Sequence, residues 1–286
     1  ERCPTPVLML SAHAAEGADV TFEALDRGAV DFFTKPGGEV SVEMSRFEDE
    51  LVEKVRTVAR ASVDADSRGG SAGERGATPS TPAARAYPER STVIVGSSTG
   101  GPSVVEEVLA DLPAESGARV LVVQHMPDGF TGRFADRLDA ASEFAVREAE
   151  DGDRVGAGEA AVAPGGHHLR VASDRRGQLR LELTDEAPVN GVRPAIDVTM
   201  GSAAGTVEGA VVAVVLTGMG KDGAGGVEAL AGVGAHVVAQ DEATSAVYGM
   251  PKRAVETGCV DEVRPAGRVA GAVVDALAAQ PGEETP

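Results

Sequence analysis

Hydrophobic patterning divides the chain into three stretches. From Glu1 to about Ala61, short apolar runs alternate with segments of helical period. They predict a strand over Pro6–Leu10, a helix over Ala18–Arg27, a short strand over Ala29–Thr34 and a charged helix over Val42–Ala61. The next stretch, SVDADSRGGSAGERGATPSTPAARAYPERS, is rich in Ser, Gly, Pro and Ala and has no apolar period. It buries too little surface to offset its ordering entropy, so residues 62–90 are expected to form a flexible linker. From Ser91 to about Gln280, continuous apolar runs of strand length alternate with amphipathic segments.

In that third stretch TVIVG is the first run, and Pro102 suits the first turn of a helix over Ser103–Leu112. ARVLVVQH is the second run. GAVVAVVLTG is the third, followed by a glycine-rich turn and a helix over Gly226–Val233. AHVVAQ is the fourth, and Val269–Ala279 forms a closing helix. Strands that are apolar on both faces belong in a parallel sheet covered by helices on both sides. The fold class is therefore α/β, doubly wound and mostly parallel. Between the second and third runs, Phe144–Thr184 alternates polar and apolar residues between Gly- and Asp-rich turns, which predicts an antiparallel flap or hairpin. Residues 281–286 are expected to be a disordered tail, and no internal repeat is present.

Composition narrows the function classes. Aromatic residues make up only 3% and Trp is absent, so the core rests on Val, Leu and Ala. A formal net charge of −19 argues against nucleic acid or an anionic membrane as the partner. No apolar run approaches the ~20 residues of a membrane span and no signal-peptide pattern opens the chain, so a cytoplasmic location without membrane insertion is expected. Glu1 in place of Met suggests a piece or a processed product. Cys3 and Cys259 lie far apart, which suggests neither a disulfide framework nor a zinc cluster. Only Lys35, Lys54, Lys221 and Lys252 are lysines, the other basic residues being Arg. Such an acidic, lysine-poor chain has the composition of a salt-adapted protein, since molar salt shortens the Debye length to roughly 3 Å and quenches self-repulsion.

The chemistry gathers at strand ends. Gly96-Ser97-Ser98-Thr99-Gly100 fits G-x-S-x-G, a turn that lifts a serine above a sheet edge. The helix after it points unpaired N–H groups at the same spot. Three readings stay open for this turn alone: a nucleophile stand, an anion cradle or a purely structural turn. It lacks the Lys of a P-loop and the glycine spacing of a dinucleotide fingerprint. His125 closes the second apolar run, and the carboxyl ends of parallel strands share one edge, where ligands bind. Asp222 follows the third run in a glycine-rich loop at that edge and could orient the imidazole. Asp197 and Asp241 are substitutes for it. His167 and His168 are rival histidines in the predicted flap, His236 opens a strand at the opposite edge, and His13 lies outside the domain.

Six ordered stretches carry a resemblance: VIVGSSTGGP, VVQHMPDGFTGRFADRL, APGGHHLRV, GVRPAIDVTM, VLTGMGKDGAGG and QDEATSAVYGMP. Together they resemble the catalytic domain of the CheB family of chemotaxis methylesterases, over nearly all of Ser91–Gln280. The resemblance implies Ser98 rather than Ser97 as the nucleophile, His125 as the base and Asp222 as the acid. It also implies an oxyanion site near Met219, beside a Thr99 N–H at the helix start. The implied reaction removes methyl esters from glutamyl side chains of chemoreceptors and deamidates receptor glutamines, without a cofactor or metal.

PVLMLSAHAAEGADVTFEALDRGAVDFFTKP resembles the closing portion of a response-regulator receiver domain, a partial flavodoxin-like unit. Ser11 matches its phosphoryl-sensing hydroxyl, Phe32 its switch aromatic and Lys35 its phosphoryl-pairing lysine. The resemblance places the phospho-accepting Asp and the Mg²⁺-binding acidic pair upstream of Glu1, so this chain as it stands is expected not to be phosphorylated normally. Mg²⁺ would serve only a complete receiver. The implied partners are the cytoplasmic domains of methyl-accepting receptors and the chemotaxis kinase CheA. The expected division is a receiver segment over residues 1–61, a linker over 62–90 and a catalytic domain over 91–280.

Overall fold

The computed structural model describes residues 5–11, 15–35, 43–59 and 87–279. The linker expected over 62–90 lies outside these residues except for its last four, and the tail expected over 281–286 lies wholly outside them.

The first unit runs β1 (Leu8–Ser11), α1 (Ala15–Asp26), β2 (Asp31–Thr34) and α2 (Glu43–Val58). Its two strands pair in parallel with Ser11 opposite Thr34, and the Lys35 N–H bonds Ser11 O at 2.8 Å. Ser11 and Lys35 therefore share the carboxyl edge of this small sheet.

The larger unit follows as β3 (Ser91–Ser97), α3 (Gly101–Asp111), β4 (Ala118–Gln124), α4 (Thr131–Ala141), β5 (Ala145–Glu148), β6 (Arg154–Val155) and β7 (Glu159–Val162). It continues with β8 (His168–Arg175), β9 (Gln178–Thr184), α5 (Ile196–Ala204), β10 (Ala210–Val215) and α6 (Ala224–Ala231). β11 (His236–Gln240), α7 (Met250–Glu256), β12 (Glu262–Arg264) and α8 (Ala266–Ala279) complete it. Seven strands form a parallel sheet in the order β12-β11-β10-β3-β4-β7-β5. β3, β4 and β10 are buried along their whole lengths, as central strands built on apolar runs must be. One face packs Val105, Leu109, Phe134, Leu138, Val273 and Leu277; the other packs Leu169, Leu181, Ile196, Met200, Val227 and Leu230. Each such side chain contributes roughly 1.5–3 kcal/mol by leaving water.

The Phe144–Thr184 stretch is not all flap. β5 and β7 join the parallel sheet beside β4, and only β6, β8 and β9 form the separate antiparallel sheet. AVRE and EAAV are four-residue strands, too short for their parallel character to separate from the alternation around them.

An ion pair joins the two sheets. Arg119, in β4, bonds Asp174 Oδ1 at 2.8 Å, with side-chain exposures of 2% and 0%. The guanidinium also donates to Thr92 Oγ1, and Asp174 Oδ2 accepts the Glu208 N–H at 3.1 Å.

The first unit packs on α4 of the larger one. The Phe32 ring stacks on Phe130 with centroids 4.9 Å apart, and Phe22 stacks on Phe134 at 6.2 Å. Arg137 bridges Asp26 and Glu106, and Arg133 pairs with Asp19. At the end of α2, Thr57 Oγ1 donates to Met219 Sδ at 3.2 Å.

Candidate active site

β3 is central in the sheet, with β4 on one side and β10 on the other. The chain leaves β3 toward β4 and returns much later to β10, so the carboxyl end of β3 opens into the crevice where strand order reverses. Three segments converge there. The elbow Gly96–Gly100 closes β3 and turns out of it, His125 follows β4, and the loop Thr217–Gly223 follows β10.

The elbow is held from both sides. Ser98 N–H donates to Thr217 O and His125 N–H to Ser97 O, each at 3.0 Å. Thr217 Oγ1 donates to Thr99 O at 2.9 Å. Gly100 turns the chain into α3 with φ 75°, a left-handed conformation that favours glycine. Ser97 is fully buried and gives its hydroxyl to Gln124 Oε1 at 2.6 Å, while Gln124 Nε2 donates to Ser98 O at 2.9 Å. Ser97 is thus committed to the scaffold. Ser98 Oγ makes no hydrogen bond to a described residue, and the N–H groups of Thr99 and Met219 make none either.

His125 Nε2 lies 2.8 Å from Asp222 Oδ2, with the ring 11% exposed and the carboxylate 3% exposed. A carboxylate accepts only, so Nε2 carries the proton and, in the neutral ring, Nδ1 keeps its lone pair. Asp222 also accepts the Ile196 N–H on Oδ2 at 2.6 Å, and Asn190 Nδ2 on Oδ1 at 2.9 Å. Burial works to raise the pKa of Asp222. The His125 contact and the Ile196 and Asn190 hydrogen bonds outweigh it and hold the carboxyl below its ordinary range.

The rival residues are placed elsewhere or serve as supports. His167 pairs with Asp185 at the exposed end of the hairpin, and His236 faces Asp261 and Glu262 at the opposite edge of the sheet. His168 is buried; its Nδ1 accepts the Ala195 N–H at 3.1 Å and its Nε2 faces Ala187 O at 3.2 Å. It therefore pins the segment that delivers the Ile196 amide. Asp241 accepts the Thr244 hydroxyl in the loop after β11. Asp197 accepts Asn190 Nδ2, while Asp222 is the partner of the ring, and His13 falls outside the described residues.

The CheB methylesterase family model matches residues 93–273. That match covers well over half of the chain and contains all three convergent segments. The chain belongs to the CheB methylesterase family. A protein-glutamate methylesterase/protein-glutamine glutaminase of Natronomonas pharaonis is 57% identical over 97% of this chain and 79% of its own length. A protein of the same name from Haloarcula marismortui is 54% identical over 96% of this chain and 78% of its own. The crystal structure of the Thermotoga maritima CheB methylesterase catalytic domain is 41% identical. It aligns with 65% of this chain and 98% of its own, at a TM-score of 0.62. Several relatives of this CheB-family chain come from halophilic archaea, in keeping with its acidic, lysine-poor composition.

Sequence reasoning missed the supports of this CheB-family site: Gln124, Asn190 and the Ile196 amide. Gln124 adjoins His125 in VVQHMP, the only hint of its role. Gly218 explains itself only in three dimensions. A Cβ there would collide with Met250 Sδ and stand 2.7 Å from Ser98 Cβ. Gly218→Ala is expected to displace the Ser98 side chain and lower turnover at least about 100-fold, since a misplacement of about 1 Å costs that much. A measured turnover within about threefold of wild type would contradict this close approach.

Proposed function

We propose that this chain is a serine hydrolase that removes methyl esters from glutamyl side chains of chemoreceptors, releasing methanol, and deamidates receptor glutamines. The observation that carries the reading is the Nε2–Asp222 hydrogen bond of His125 beside a hydroxyl with no competing partner among the described residues. Nδ1 takes the proton of Ser98 as Oγ attacks the ester carbonyl. The oxyanion is met by the Thr99 and Met219 N–H groups. Collapse expels methoxide, which leaves as methanol with the proton from His125. Water, deprotonated by the same nitrogen, then attacks the acyl-enzyme and frees Ser98 and glutamate. The amide substrate follows the same steps with ammonia as the leaving group. Ser98 and His125 approach bonding distance only around substrate, as such pairs commonly do.

Nucleophile, base and orienting acid all come from the chain, so the proposed esterase needs no cofactor. Among the described residues no cluster of three or more ligand side chains could hold a metal, and no step passes through Mg²⁺. No helix among the described residues is long and apolar enough to cross a membrane, which suits an enzyme working in the cytoplasm on the cytoplasmic helices of receptors. The test is methanol release from methylated receptor at molar salt.

The first unit restrains the second. Phe32 stacks on Phe130 and Thr57 reaches Met219, so α2 ends at the proposed oxyanion loop. In a chain with a complete receiver, phosphorylation through CheA would relieve this contact by way of Ser11, Phe32 and Lys35. A truncated chain of Ser91–Gln280 is expected to be at least as active as the whole, because it lacks the contact that α2 makes on Met219. The crystal structure of the lone catalytic domain of a 41% identical relative supports its folding by itself. Lower activity in the truncated chain would contradict the restraint.

A further inference from the structure

Asp222 and Asp197 each satisfy the start of the other's helix. Asp222, just before α6, accepts the Ile196 and Asp197 N–H groups that open α5, at 2.6 and 3.3 Å. Asp197, in the first turn of α5, accepts the Gly223 and Gly226 N–H groups that open α6, at 2.9 and 2.8 Å. Neither helix has a side-chain cap of its own from its N-cap residue. Orphan amides at both helix starts are thus met reciprocally, and each dipole favours the negative charge placed on it.

The arrangement also sets two carboxylates side by side, which ordinarily drives one of them to hold a proton. Asn190 stands between them. Its Nδ2 donates to Asp197 Oδ2 at 2.7 Å and to Asp222 Oδ1 at 2.9 Å. Both acceptors are carboxylate oxygens, so the amide nitrogen, which has two hydrogens, must face them. Asn190 holds this position in the left-handed region, φ 54°, where Asn is among the few tolerated side chains. We propose that Asn190 is a positioning residue whose one amide nitrogen clamps both aspartates, keeping Asp222 charged and aimed at His125.

The groups facing the pair are few. His125 approaches Asp222 from the end of β4, the α5 amides approach it from another side, and the α6 amides approach Asp197. Burial, together with the charge of Asp222, raises the pKa of Asp197 against the hydrogen bonds from Gly226, Asn190 and Gly223. Removing the clamp favours proton uptake by the pair. A proton on Asp222 weakens its hold on the imidazolium, so activity would fall at the acid side first.

The proposal rests on the esterase reading, and its test separates the two. Asn190→Gly keeps the left-handed turn while deleting the amide, and Asn190→Asp adds a third carboxylate. In the full chain, Asn190→Gly is expected to lower kcat about tenfold at neutral pH with KM little changed, the size of a lost hydrogen bond to a charged group. The loss deepens as pH falls, so the acid limb of the rate profile moves to higher pH. Asn190→Asp moves it further. Thermal unfolding of Asn190→Gly stays close to wild type. Independently of turnover, proton NMR should show the Nε2 proton of His125 disappearing at higher pH in Asn190→Gly than in the wild type. An unchanged profile with an unchanged resonance overturns the proposal, as does a loss uniform in pH that tracks a lowered melting temperature. If the wild type releases no methanol, the esterase reading falls while the resonance still decides the role of Asn190.

Discussion

Ser98→Ala is expected to lower methanol release from methylated receptor by roughly a million-fold, because members of the proposed nucleophile–base–acid unit act together and losing the nucleophile abolishes the covalent route. The protein itself should be unharmed. Ser98 Oγ bonds no described residue, so the change removes one hydroxyl and leaves the Ser97–Gln124 scaffold and the Asp222 cluster intact. Equal melting temperatures for wild type and variant would show that. Ser97→Ala offers the contrast, since it breaks a buried hydrogen bond to Gln124 and should affect stability more than chemistry. Its buried partner then loses about 1–3 kcal/mol of compensation. A Ser98→Ala protein retaining even about a hundredth of wild-type turnover would dismiss the covalent mechanism and return the elbow to the anion-cradle reading.

Asp174→Ala should be the most damaging single change away from the site. It strands the Arg119 guanidinium, 2% exposed, without its charged partner. Breaking one side of a buried pair typically costs about 3–5 kcal/mol, far above the ~0–1 kcal/mol of an exposed pair such as Arg27–Glu23. For a unit of this size the melting temperature should fall by roughly 6–20 °C. Replacing both partners, Arg119→Met with Asp174→Leu, removes the charge together with its need and should recover much of the loss. A double variant no better than Asp174→Ala alone would mean that packing around Arg119, and not its charge, sets the cost. Molar salt should change the result little, because a pair closed off from solvent is weakly screened.

Much of this was readable from the sequence. Fully apolar runs such as TVIVG and AVVAVV could only be central parallel strands, and their ends carry the elbow, His125 and Asp222 to one edge. The six ordered stretches then picked out the family, and the family match and the relatives support that choice. What stayed hidden depends on contacts across long separations. β5 and β7 are too short to announce their pairing. Arg119 reads as an odd charge in an apolar run until Asp174, 55 residues on, meets it. Asn190 sits in an exposed loop with the composition of an ordinary turn, and nothing local tells of two aspartates arriving from either side. The helix bounds differ by a few residues, as at Ala15–Asp26 against the expected Ala18–Arg27, because an apolar period marks the buried face of a helix and not its ends.

The central place of β3 has a consequence for biosynthesis. A growing polypeptide can zip β3 to β4 early, yet the acid that completes the proposed machinery emerges 97 residues after His125. Pairings this remote close slowly, because the intervening loop entropy must be overcome first. On the ribosome the nascent chain therefore holds its hydroxyl and imidazole well before the acid of the proposed machinery is made, and the site can close only after β10 has been built.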